Sequence, residues 1–322
     1  GGAHPTHLPN ECVKKRFDFV VRGEADYLLP SLLAKLQLAK KFNEDKILSN
    51  FEPHSLDAIP FPDRDSLPIH AYHYLINDEP ATTIMTSRSC FAKCSFCAKI
   101  GNKFRQQSAY RTVDEIRHIN EKYGFKAFMI FDDVFVTDKK RLKEMIWLLK
   151  GKDFIFRCFG RSNLLTEEIC RLLKEMNVVE VGVGIESGSD IILNANMKGT
   201  TVEQNTQAVK NLHAVGIRAK AFLIIGLPGE TKKTIDETRK WIEDVKPDDV
   251  DFSVFQPMPG SDIYKNPDKY DVKIDYNLAG AFYKGIPGTY KSSSSTKELT
   301  TEQIVNYRDG FEEQFKKKEL LR

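Results

Sequence analysis

Residues 82–97 read Thr82-Thr83-Ile84-Met85-Thr86-Ser87-Arg88-Ser89-Cys90-Phe91-Ala92-Lys93-Cys94-Ser95-Phe96-Cys97. The β-branched run at 82–86 predicts a strand. It leads into Cys90, Cys94 and Cys97, three cysteines at C-x3-C-x2-C spacing with an aromatic before the last. Three thiolates are one fewer than a fully protein-ligated cubane iron–sulfur cluster takes. A cluster held there leaves one iron open to a non-protein ligand, as a three-ligand zinc site leaves one position open. The competing reading is a structural zinc site completed by a nearby His or Cys.

Downstream, strand-like runs recur at 127–131, 154–159, 178–185, 219–225 and 250–255. Helix-like segments fall between them near 111–122, 138–150, 166–176, 202–215 and 231–245. Thr166 and Asp138 open helices as caps, and Gly124 and Gly216 fall just past helix ends. Strands alternating with helices of about a dozen residues imply parallel βα units with right-handed crossovers. Six strands are too few for a closed eight-stranded barrel, and no glycine-rich dinucleotide fingerprint follows the first. The expected fold is α/β, a partial (βα)6 TIM-like barrel.

In such barrels chemistry gathers at the C-terminal ends of the strands. The unusual residues lie there: Cys90 after the first strand, Asp132-Asp133 after the second, Arg161 after the third and Glu186-Ser187 after the fourth. Gly226 follows the fifth and Gln256 the sixth.

Upstream, residues 17–22 predict a short buried strand and residues 29–41 a helix with Pro30 in its first turn. Residues 51–70 hold Pro53, Pro60, Pro62 and Pro68 and read as an extended linker. Downstream, 261–290 reads as loops, Ser292–Ser295 as a flexible joint, and 299–321 as a helix with Ile304, Tyr307, Phe311 and Phe315 on one stripe. The divisions expected are 1–50, the remnant of an α/β domain; 51–80, a linker; 81–262, the barrel; and 263–322, a C-terminal extension with its helix.

The 322 residues suffice for a full core, and a net charge of +3 does not argue for nucleic acid. No apolar run is long enough to span a bilayer, and no secretory signal is visible. A cytoplasmic protein is expected, because three cysteines packed into eight residues do not form a disulfide framework. Cys158 and Cys170 read as core thiols. The chain opens Gly1-Gly2 without a Met, which suggests a piece of a longer protein.

The cysteine run and the strand-end residues resemble the radical S-adenosylmethionine (SAM) superfamily over roughly 80–262. Arg22-Gly23-Glu24, Pro60-Phe61-Pro62-Asp63-Arg64, Gly184-Ile185-Glu186-Ser187-Gly188 and 226–231 resemble its group with an N-terminal cobalamin-binding domain. That group includes class B methyltransferases, and Gly1-Gly2-Ala3-His4-Pro5-Thr6 resembles a turn near the end of the cobalamin domain.

The resemblance implies that Cys90, Cys94 and Cys97 hold a 4Fe-4S cluster whose open iron takes the amino and carboxylate groups of SAM. It also implies hydrogen abstraction from an unactivated carbon by a 5′-deoxyadenosyl radical. Phe96 would lie by the adenine, Asp132 or Asp133 would bind the SAM amino group, and Arg161 the carboxylate. Glu186 or Ser187 would bind the ribose, and the backbone at Gly226 the adenine edge, with Gln256 completing the set. Cobalamin-dependent methyl transfer to a small-molecule substrate is the expected reaction, with a flavodoxin or ferredoxin as electron donor. A cobalamin-independent oxidoreductase or cyclase, or a non-catalytic zinc- or cluster-bearing binding protein, are the alternatives. The cobalamin domain's Asp-x-His-x-x-Gly motif is absent from these residues.

Overall fold

A computed structural model describes residues 1–38, 45–49, 55–101, 103–278 and 286–316. Six parallel strands form one curled sheet: β1 (Glu79–Ile84), β2 (Ala127–Ile130), β3 (Ile155–Gly160), β4 (Val178–Glu186), β5 (Arg218–Ile225) and β6 (Asp249–Val254). They lie side by side in chain order, so the expected half-barrel is the fold observed. A seventh strand, Leu75–Ile76, was not expected. It pairs antiparallel with the start of β1, and two residues carry no readable period.

Helices α1 (Ala109–Tyr123), α2 (Lys139–Leu149), α3 (Glu167–Glu175), α4 (Val202–Ala214) and α5 (Lys232–Val245) cross between the strands. Asp138 and Thr166 accept from backbone amides of their first turns, and Thr201 and Thr231 form capping boxes. Gly124 ends α1 in the left-handed region, at φ 79°. The helix-facing strand side chains, among them Phe128, Phe156, Val181, Leu223 and Phe252, form the main core.

The last helix, α6 (Thr301–Phe315), packs on β6. Ile304 and Phe311 are fully buried there, with Tyr307 and Phe315 beside them, so α6 supplies the sixth strand with the cover that helices give the others. The stretch expected at 316–321 lies largely outside the described residues.

The serine run departs from its expected role. Ser292, Ser293 and Ser294 are buried, and Ser294–Thr296 pairs with Val272–Ile274. Ser292 donates to the Ser294 carbonyl at 2.7 Å, and Ser294 donates to the Phe255 carbonyl. Small hydroxyl side chains that bond the backbone make a tight joint here, not a loose one.

At the N-terminus, Val20–Arg22 pairs in parallel with Ile47–Ser49 around the helix Leu28–Leu38. Glu24 ties this unit to the barrel by binding both Arg88 and Arg105. Those arginines sit on the two paired strands Ser87–Arg88 and Arg105–Gln106, which close the base of the cysteine loop.

Candidate active site

The loop after β1 begins where Asp132 pulls the chain out of the sheet. The Thr86 amide and hydroxyl each donate to Asp132 at 2.6 Å, and the Ser87 amide at 3.0 Å. For this reason β1 ends at Ile84, short of the expected residue 86. Both Asp132 oxygens are engaged, and the carboxyl is almost fully buried. Asp133 instead lies exposed on a cavity of about 340 Å³ at the C-terminal ends of the strands. Partial loss of water at the cavity wall raises its carboxyl above the ordinary value, and Lys99 pulls the other way.

Cys90, Cys94 and Cys97 line that cavity with Asp132, Asp133, Arg161 and Glu186. Lys99 staples the cysteine loop by donating to the carbonyl of Cys90 at 2.6 Å and to that of Ala92. The Ala92 amide points at the Cys90 sulfur, 3.4 Å away. Arg161 lies 3.7 Å from the Cys94 sulfur and donates to the Lys198 carbonyl at 2.6 Å. The hydrogen bond from Cys97 and the charges of Lys198 and Arg161 outweigh burial and bring the Cys94 thiol down to about 6. Such an environment favours thiolate.

Lys198, which the sequence did not single out, is buried and donates to Glu186 Oε1 at 2.6 Å. Glu186 adopts φ 64°, a left-handed conformation that turns its side chain off the strand. Gly184 makes room for the pair, since a Cβ there would lie 2.6 Å from Glu186 Oε1 and 2.9 Å from Lys198 Nζ.

Among the described residues, no three His, Cys, Asp or Glu side chains converge on one point as a single-ion site requires. A zinc ion needs its thiolates about 2.3 Å from one centre, whereas cluster thiolates each take a different iron. Cys94 and Cys97 are within hydrogen-bond reach of each other, and three thiols on one cavity wall with Arg161 and Lys198 beside them suit a cluster.

Four expected residues lie outside the cavity lining. Ser187 is buried and shares a hydrogen bond with Thr238 of α5. Gly226 packs on α6, where a Cβ would sit 2.6 Å from Ile304. Phe96 packs beside Cys94 in an apolar cluster with Leu227 and Phe255, and Gln256 is buried nearby in sequence. Cys158 and Cys170 are core thiols as expected, with Cys158 fully buried and burial pushing the Cys170 thiol up to about 12.

Glu230, also behind the strand ends, is fully buried and accepts the Gly226 amide at 2.5 Å. Burial pushes its carboxyl up to about 8, far above about 4.3 for a free glutamate. The folded chain therefore holds a proton that the unfolded chain has lost between those values. The contribution of Glu230 to stability is full below about pH 4.3 and falls as pH rises towards 8. Glu230→Gln is expected to flatten that decline in urea unfolding measured from pH 5 to 8, and an unchanged slope would contradict it.

Residues 84–242 match the family described as the radical SAM superfamily. An uncharacterized methyltransferase of Pyrococcus horikoshii is 31% identical over 82% of this chain and 61% of its own length. The anaerobic magnesium-protoporphyrin IX monomethyl ester cyclase of Rubrivivax gelatinosus is 26% identical over 97% of the chain and 60% of its own length. The chain thus spans about 60% of the length of these curated relatives. Among solved structures, the cobalamin-dependent SAM radical enzyme OxsB superposes with a TM-score of 0.72 at 18% identity, covering 96% of this chain and 52% of that one. The radical SAM methyltransferase TsrM of Kitasatospora setae gives 0.68 at 16% identity, covering 97% and 64%. At these identities the structural likeness establishes the fold.

Proposed function

The chain belongs to the radical SAM superfamily, and from that membership we propose that it is the catalytic core of a cobalamin-dependent methyltransferase acting on a small molecule. The observation that carries this reading is the single cavity where three cysteines meet Asp133, Arg161 and the Glu186–Lys198 pair. Cys90, Cys94 and Cys97 would hold the 4Fe-4S cluster. Bound there, it would supply the one-electron reduction by which SAM yields methionine and a 5′-deoxyadenosyl radical able to take hydrogen from an unactivated carbon.

The chain's own residues orient SAM and protect the site. Asp133 accepts from the SAM amino group, because Asp132 already spends both oxygens on Thr86 and Ser87. Arg161 faces the SAM carboxylate, and the free oxygen of Glu186 the ribose hydroxyls. Ser187, Gly226, Phe96 and Gln256 hold the wall behind these contacts.

On this reading residues 1–50 end a cobalamin-binding domain, 51–80 link it to the barrel at 81–262, and 263–322 extend that barrel. The donor is a ferredoxin or flavodoxin, and the free thiols suit the reducing cytoplasm. Among the described residues no helix is long and apolar enough to cross a membrane.

Cyclisation without cobalamin is the second reading, favoured by the cyclase relative that matches 97% of the chain. Corrinoid analysis of the full natural protein, purified without oxygen, separates the two. Methyl transfer predicts about one corrinoid per chain. Protein that forms 5′-deoxyadenosine yet never retains corrinoid would assign it to the cyclase class.

A further inference from the structure

The concave face of the sheet carries two distinct layers. Towards the N-terminal ends of the strands it is ionic: Arg157 pairs with Glu180, and Lys220 with Asp249 at 2.8 Å. Two residues further along the same strand faces, the side chains become Phe159 on β3, Gly182 on β4 and Phe222 on β5. Phe131, just past β2, completes the row. Phe131 meets Phe159 edge-on at 5.5 Å and 67°, and Phe159 meets Phe222 at 5.6 Å and 71°.

The row continues to β5 because β4 places a glycine between Phe159 and Phe222. A Cβ on Gly182 would lie 2.5 Å from the Phe222 ring and 2.8 Å from that of Phe159, so any other residue would drive the rings apart. All three rings line the cavity that holds the cysteines. At the open edge of the sheet, Phe131 is 54% exposed and Met85 is 55% exposed. Each directly follows the last paired residue of its strand. Large apolar side chains left uncovered and contiguous mark a ligand surface. Phe131 belongs to the wall where the radical would form, and Met85 lines a second cavity with Thr83 and Ile84. Lys220 of the ionic layer lies over the Phe222 ring, 5.9 Å from its centroid, so the exposed Phe131 is the end of the row that an incoming ring meets first.

We propose that Phe131, Phe159 and Phe222 form the platform on which the substrate lies, and that the substrate presents a flat, apolar, aromatic or conjugated ring system to it. The proposal rests on the radical SAM reading and names the substrate class for that site. SAM keeps to the polar side of the cavity, against the cysteines, Asp133 and Arg161. The substrate occupies the phenylalanine side.

The test uses the cluster-loaded protein with SAM bound and two probes of equal carbon skeleton, 2-naphthylmethanol and its fully saturated decahydro analogue. Calorimetry should show the aromatic probe binding at least tenfold more tightly, about 1.4 kcal/mol. Phe131→Leu and Phe159→Leu should each shrink that ratio several-fold. Because the readout is a ratio between two probes, a general loosening of the fold moves both and leaves it unchanged. Gly182→Ala should weaken both probes by displacing the rings. Equal affinities in wild-type protein that cleaves SAM would overturn the platform and leave the radical reading intact. Exclusion of the aromatic probe by bound SAM would assign the rings to the cofactor and also overturn it. Absence of SAM cleavage would overturn the radical reading, and the proposal with it.

Discussion

Cys94→Ala is expected to remove stable iron–sulfur incorporation and to abolish formation of 5′-deoxyadenosine from SAM. Cys94 is the most buried of the three cavity cysteines, and it is the one that Arg161 and Lys198 hold towards thiolate. Without it two thiols remain, on opposite ends of the loop, one fewer than the three thiolates that the cluster takes here. The fold should survive, because replacing a thiol by hydrogen at a cavity wall costs on the order of 1 kcal/mol. Iron and sulfide per chain, with the far-ultraviolet circular dichroism as control, check the result. A variant with full iron content and normal SAM cleavage would remove Cys94 from the ligand set.

Lys198→Met should produce the largest loss of stability at the site. Its ammonium and the Glu186 carboxylate are both nearly sealed from water, at 6% and 11% side-chain exposure. Removing one member of a buried pair leaves an uncompensated charge, a loss of about 3–5 kcal/mol. The lower end is expected because Glu186 lines the cavity and can recover some water. The backbone carbonyl of Lys198 would still receive Arg161, so the loss reports the ion pair and not the loop. Urea unfolding of the single variant and of Lys198→Met with Glu186→Gln checks this. The double variant should regain much of the difference, and equal losses in both would locate the effect in packing.

Much of the barrel was legible because buried parallel strands are continuous apolar runs and their helices begin with Thr or Asp caps. The strand-end residues were legible for the same reason, since a strand's end is readable once its run is. What failed was anything decided by tertiary space. Asp132 and Asp133 are identical in type and adjacent, and only the exit of the chain towards Thr86 buries one and exposes the other. Lys198 sits in the polar stretch Asn194-Ala195-Asn196-Met197-Lys198, where a lysine ordinarily means solvent. Its burial depends on the absent side chain of Gly184 on β4.

Gly226 was readable as a position needing close approach, but its neighbour is Ile304 of a helix nearly eighty residues downstream. Composition misled at Ser292–Ser294, since serine is common in joints and equally able to fill a tight, hydrogen-bonded corner. The phenylalanine row was hidden because its members come from three separate strands, and Phe159 and Phe222 meet only across Gly182.

The most direct test of radical chemistry at this cavity is to reconstitute the wild-type protein with iron and sulfide without oxygen, reduce it, and add SAM. The account predicts about four irons per chain and the release of methionine and 5′-deoxyadenosine in equal amounts. Stoichiometric zinc in place of iron, with SAM recovered intact, would contradict it.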